Sequence, residues 1–152
     1  MEIVKLVVTG MLGAAGFAVL FSIKPKHVSF AALGGAIATL VYVLLDIAEA
    51  NLFVSNFVAT LVCVIYSNIL ARLLKTPSMV FITASIIPLV PGGLLFYAMS
   101  NLILGDSLAA KTYGLNALQV ALGIAGGIVI ESLVVTIMIK IIRTKKKSDA
   151  DK

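Results

Sequence analysis

With 152 residues, 61% of them hydrophobic and only 12% charged, and with a mean hydropathy of +1.12, the chain carries more apolar surface than a soluble domain of its size can bury. That excludes an ordinary soluble enzyme, and the lack of polar low-complexity sequence before the C-terminal tail excludes intrinsic disorder. The net charge of +5 does not point to nucleic acid, because the cations flank apolar runs and gather at the C-terminus.

A hydrocarbon core of roughly 30 Å takes about 20 apolar residues of helix. Five blocks come close to or exceed that length. Residues 6–23 stop at Lys24-Pro25-Lys26-His27. Residues 28–45 stop at Asp46 and Glu49, and residues 52–70 at Arg72 and Lys75. Residues 78–104 are interrupted by Pro88 and by Pro91-Gly92-Gly93, and residues 117–142 run into the basic tail over 143–152. Connections are short, so the expectation is one all-α integral membrane domain over residues 1–152, a five-helix bundle with a broken fourth helix. Glu2, a single early Lys5 and no small-residue cleavage pattern near Phe21 to Pro25 make the first block a retained span rather than a signal peptide.

The charges test the span count. If all five blocks cross, Lys24, Lys26, Arg72, Lys75 and the six cations from Lys140 to Lys152 share one side, ten of the twelve basic residues. A re-entrant fourth block would reduce that split to five against seven. The positive-inside rule then puts the N-terminus outside and the C-terminus in the cytoplasm, with the tail free to touch anionic lipid.

Small residues at four-residue spacing mark faces where helices pack closely: Gly10, Ala14 and Ala18; Ala31 with Gly35 and Gly34 with Ala38; Gly123 with Gly127. In the third block, Asn56, Thr60, Cys63 and Ser67 fall at i, i+4, i+7 and i+11, a polar stripe with Asn68 beside it. Such groups must turn away from lipid, either to hydrogen-bond between helices or to line a wetted path.

The fourth block carries the strongest local signal. Pro88 and Pro91 lack a backbone N–H and clash with the preceding turn, and Gly92-Gly93 removes side chains where the helix restarts. A break there frees carbonyls before it and N–H groups after it, and irregular backbone at membrane depth is tolerated only inside protein or beside a cavity. Discontinuous transporter helices use such ends to hold substrate. Gly93, Tyr97 and Asn101 follow on one face, so Pro88, Pro91, Gly92, Gly93, Tyr97 and Asn101, with Asn56 and Thr60 of the stripe, are the candidate substrate-binding residues; a plain proline kink is the alternative.

The run Pro77 to Phe81, the segment Ile86-Ile87-Pro88-Leu89-Val90-Pro91-Gly92 and Tyr97-Ala98-Met99 resemble the small-subunit half of a two-component exporter of the threonine/serine exporter family. Gly16-Phe17-Ala18 followed by Pro25, and Leu33-Gly34-Gly35, extend the resemblance over nearly the whole chain. The chain departs from the family pattern at Ser85 and Leu94, where glycines are common, and has Gly93 beside Gly92. The resemblance implies a subunit of a secondary transporter in a bacterial inner membrane, working with a larger subunit that bears the other spans and a soluble domain. It implies export of threonine- or serine-type amino acids, or of dicarboxylates such as succinate.

Glu131 lies about midway along the fifth block, in a row with Gly127 and Gly123. An intramembrane acid is costly and faces the bundle interior or a cavity, so Glu131 is the candidate for proton coupling, with interhelical hydrogen bonding as the bland alternative. No cation sits mid-span, so a substrate carboxylate must be held by backbone N–H groups after Pro91 or by the partner. One histidine, His27, read as interfacial, and one cysteine, Cys63, assemble neither a catalytic triad nor a metal site, so no enzyme activity, metal or cofactor is expected. The rival to an exporter half is a membrane scaffold whose kinks and stripe serve packing alone.

Overall fold

The computed structural model describes the backbone of residues 2–150 and the side chains of residues 2–137. The basic tail over 143–152 and the far part of the expected fifth span therefore fall outside the residues whose side chains are described. The elements are α1 (Glu2–Leu20), α2 (Pro25–Ile47), α3 (Leu52–Leu74), α4 (Ser78–Ile86), a 3-10 turn (Ile87–Leu89), α5 (Gly92–Ile103) and α6 (Ser107–Ala150), with no strand among the described residues.

Local chemistry sets the boundaries. Pro25 occupies the first turn of α2, where its missing N–H has no partner to lose. The Asn51 side chain accepts from Phe53 N at 3.0 Å and opens α3; Lys75, at φ +51°, closes it. Gly105 adopts φ +83°, which costs an L-residue strain, and Asp106 then caps α6 by accepting from Ala109 N at 2.9 Å.

Four helices are long and apolar enough to cross a membrane, and a fifth span results if Ser78–Leu89 and Gly92–Ile103, bent by 46°, are taken together. Packing fixes the directions. On α1 and α2, Gly10 faces Thr39, Ala14 faces Gly35, and Ala18 shares a core cluster with Ala31, so the two run antiparallel. On α3 and α6 the partners climb together: Gly123 lies on Phe53 and Asn56, Gly127 on Phe57 and Thr60, and Glu131 on Asn68. Parallel α3 and α6 require the chain between them to cross the bundle once more, and α4 with α5 makes that crossing. A hairpin returning to its own side would have made α6 antiparallel to α3.

The bundle accordingly has a basic end, with Lys24, Lys26, Arg72 and Lys75 in or beside the α1–α2 and α3–α4 turns, and an acidic end, with Asp46, Glu49 and Asp106 in or beside the α2–α3 and α5–α6 turns.

Small residues hold the interior. Ala14, Ala18, Ala31, Ala38, Ala59 and Ala84 are fully buried, while large side chains such as Leu12, Leu73, Met99 and Leu108 face outward. Less than two-fifths of any spanning window is buried, an inversion of soluble packing that suits a lipid surround. A Cβ at Gly123 would stand 2.6 Å from Phe53 O, and one at Gly127 2.9 Å from Phe57 O, so α3 and α6 approach backbone to backbone. Gly34 and Gly35 let α2 pack as closely on two sides: Gly34 faces the Ser85 side chain of α4, and Gly35 faces Ala14 and the Gly10 carbonyl of α1. His27, in the first turn of α2 at the basic end, is turned inward: it is 5% exposed, with its ring nearly perpendicular to that of Phe81 and 5.7 Å between centroids.

Candidate functional site

The prolines do what their chemistry dictates. α4 tightens into the 3-10 turn at Pro88, where Val90 N donates to Ile87 O at 3.0 Å, and Val90 then extends (φ −62°, ψ 131°). Pro91 starts α5 without a side-chain cap. Gly92 N donates to Val90 O at 2.8 Å, and Leu95 N is the first to close back on Pro91 O, at 3.0 Å. The N–H groups of Gly93 and Leu94 lie between these and have no intrahelical acceptor. They form the partly positive end of a 12-residue helix.

That end opens on a cleft of about 420 Å³. Its wall is contributed by α2 (Tyr42), α3 (Leu52, Asn56), the break (Pro88 to Pro91), the first turns of α5 (Gly93, Leu94, Tyr97) and α6 (Tyr113, Val120). The Tyr97 and Tyr113 rings lie 5.5 Å apart, tilted by 33°. Asn56 is 1% exposed; one N–H is spent on Leu52 O at 2.8 Å, leaving its Oδ1 and second N–H for other partners. No ionised side chain is among the described residues of the lining.

Of the residues singled out from the sequence, the cleft therefore gathers Pro88, Pro91, Gly93, Tyr97 and Asn56. Gly92 stands beside it. Asn101 lies further along α5 and donates to Tyr97 O at 2.8 Å. Thr60 lies outside it, fully buried under Gly127, its hydroxyl without a partner.

The polar stripe of α3 divides. Asn56, Thr60 and Asn68 face α6, whereas the Cys63 thiol lies beside the Ser67 and Ser85 hydroxyls, and Ser85 itself donates across to Ala31 O of α2 at 3.1 Å. Tyr42 and Tyr113 were not singled out: each stands near the end of an apolar run, where hydropathy sees a boundary. Their only sequence signal is an aromatic within one turn of a span end, Tyr42 just inside the second block and Tyr113 just before the fifth.

Glu131 is 5% exposed and accepts from Asn68 Nδ2 at 2.7 Å. It does not reach the cleft. Asn56 and Asn68 are separated by twelve positions of α3, about 18 Å along the axis, so the acid lies toward the basic end, one turn short of the level of Arg72.

Gly92 and Gly93 need explaining, because glycine weakens a helix by about 1 kcal/mol against alanine. Neither has positive φ, and a Cβ on either would meet nothing within 4 Å. Their smallness serves neither the backbone nor the packing of this chain, and it leaves open the space over the free N–H groups.

Among curated proteins and among solved structures no match is found. A family model described as "Threonine/Serine exporter, ThrE" matches residues 6–134. That span holds the break, the cleft and the α3–α6 seam, and the chain belongs to the threonine/serine exporter family, a family of multi-pass membrane transporters.

Proposed function

We propose that the chain is the small-subunit half of a two-component exporter in a bacterial inner membrane, and that it binds a threonine- or serine-type amino acid at the cleft. The observation that carries this reading is the uncapped start of α5 at the cleft, with the Gly93 and Leu94 N–H groups free. A carboxylate is held there as at other helix N-termini, and the faces and hydroxyls of Tyr42, Tyr97 and Tyr113 take the ammonium group. A dicarboxylate would need a second anion holder, and the described residues of the lining include no cation.

The open wall of the cleft, and an α5 with no buried residue, favour completion by a larger subunit that supplies the remaining spans and a soluble domain. The four cations at the basic end favour its lying in the cytoplasm, with the N-terminus outside. Glu131 carries the coupling proton in this scheme, at a distance from the substrate. Counterflow of threonine, serine and succinate into proteoliposomes holding both subunits, or the larger one alone, tests it. Threonine counterflow that requires this chain is expected; counterflow by the larger subunit alone would make this chain a scaffold.

A further inference from the structure

We infer that Asn56 reads the side-chain hydroxyl of the substrate and so separates threonine and serine from their hydroxyl-free counterparts valine and alanine, an inference that rests on the cleft being the substrate site. The residue is fixed on the side of the cleft that this chain builds alone. Its Cβ meets α6 at the α3–α6 seam, where a Cβ on Gly123 would stand 3.2 Å from it, and one amide N–H donates to Leu52 O at 2.8 Å. A side chain held at both ends has its rotamer set before a ligand arrives, so its remaining polar groups keep their place whatever covers the open wall.

Those groups are Oδ1, which accepts from no described donor, and the second N–H. The hydroxyls of Ser55 and Thr60 on the same helix are also unpartnered but sealed off; Oδ1 of Asn56 is not sealed, and the residue lines the cleft. An amide left bare beside Leu52, Leu89 and Val120 costs free energy until a ligand satisfies it. With the carboxylate on the Gly93 and Leu94 N–H groups and the ammonium among the tyrosines, the amide is left for the substrate side chain. A hydroxyl suits it, because it can donate to Oδ1 or accept from the N–H, whereas a methyl in the same place does neither. Sites built to pair a substrate hydroxyl reject the analogue that lacks it, since the polar group of the site is then left alone. For one such group the discrimination is about 5- to 150-fold.

The experiment is counterflow into proteoliposomes with both subunits, threonine against valine and serine against alanine, in wild type, Asn56→Leu, Asn56→Ala and Gly93→Leu. Each ratio is taken within one preparation, so a change in folding or abundance cancels. Wild type is expected to prefer threonine to valine by at least about fivefold, and each Asn56 variant to bring that ratio down toward one. Gly93→Leu should instead lower the exchange of all four substrates together. A wild type that exchanges valine as well as threonine overturns the inference, and so does a threonine-to-valine ratio unchanged in both Asn56 variants; if Gly93→Leu still abolishes exchange, the site stays in place without its hydroxyl reader. Counterflow of every substrate that ignores Gly93→Leu removes the site itself, and the inference with it.

Discussion

Gly93→Leu separates folding from transport, because the structure gives the two effects opposite signs. A Cβ at position 93 meets no atom within 4 Å and the backbone is already helical, so the substitution costs no packing. Replacing glycine by leucine in a helix gains up to about 0.8 kcal/mol in propensity. In thermal unfolding of the purified chain in detergent this amounts to an apparent midpoint raised by about 2 °C. Transport moves the other way. Four side-chain carbons, at roughly 30 Å³ each, would take about 120 Å³ of the 420 Å³ cleft, directly over the free N–H groups proposed to hold a carboxylate. Losing one charge-assisted hydrogen bond to backbone N–H, worth about 1.5–3 kcal/mol, lowers flux at limiting substrate by roughly 10- to 150-fold. The assay pairs that melt with initial-rate counterflow at equal reconstitution. Wild-type flux in a variant of unchanged stability would refute the assignment of the cleft, and a collapsed melt would refute the open space at position 93.

Three further outcomes follow from the packing and the charges. Gly127→Ala should destabilise the chain by about 1–3 kcal/mol, because its Cβ meets Phe57 O and Thr60, whereas Gly114→Ala, with nothing within 4 Å, should be neutral or slightly stabilising; chemical unfolding in detergent compares them, and equal stabilities would undo the α3–α6 seam. Glu131→Gln keeps an acceptor for Asn68 but cannot titrate, so substrate exchange at equal pH should persist while export driven by a pH gradient is lost; gradient dependence unchanged in this variant would leave Glu131 a structural residue. A reporter fused after Lys152 should read cytoplasmic and one at Met1 external, and both ends on one side would rule out five crossings.

What could be read from the sequence was what a single helix imposes on itself or on one neighbour. The break was legible because Pro88 and Pro91 lack N–H groups whatever surrounds them. The Gly123 and Gly127 row was legible because close approach needs missing side chains at four-residue spacing. The α3 stripe was legible as buried but not as divided, since Asn56 and Cys63 lie on adjoining faces and only the positions of α6 and α4 decide which partner each meets. Tyr42 and Tyr113 were not legible as site residues at all. They are brought together across α2 and α6 by the helix directions, and periodicity within either helix carries no trace of the other. The level of Glu131 was hidden for the same reason: counting from the apolar block put it mid-span, while its partner Asn68, near the basic end of α3, sets its depth.

Thr60 decides whether the seam between the cleft and Glu131 is a polar path or a dry contact. Its hydroxyl is fully buried and unpartnered, and α6 passes so close at Gly127 that a Cβ there would stand 2.9 Å from that of Thr60, so the seam is tightly packed at this level. An unsatisfied buried hydroxyl costs on the order of 1–3 kcal/mol, and valine has nearly the same shape without that cost. Thr60→Val is therefore expected to leave both exchange and gradient-driven export at wild-type levels while raising stability by up to about 1 kcal/mol. In that case, the proposed substrate and proton sites, about 18 Å apart, would communicate through the rigid contact of α3 with α6 rather than along a file of hydroxyls. Loss of gradient-driven export in Thr60→Val, with exchange and abundance intact, would overturn that view, because the only group removed is one that carries a proton and packs against nothing polar.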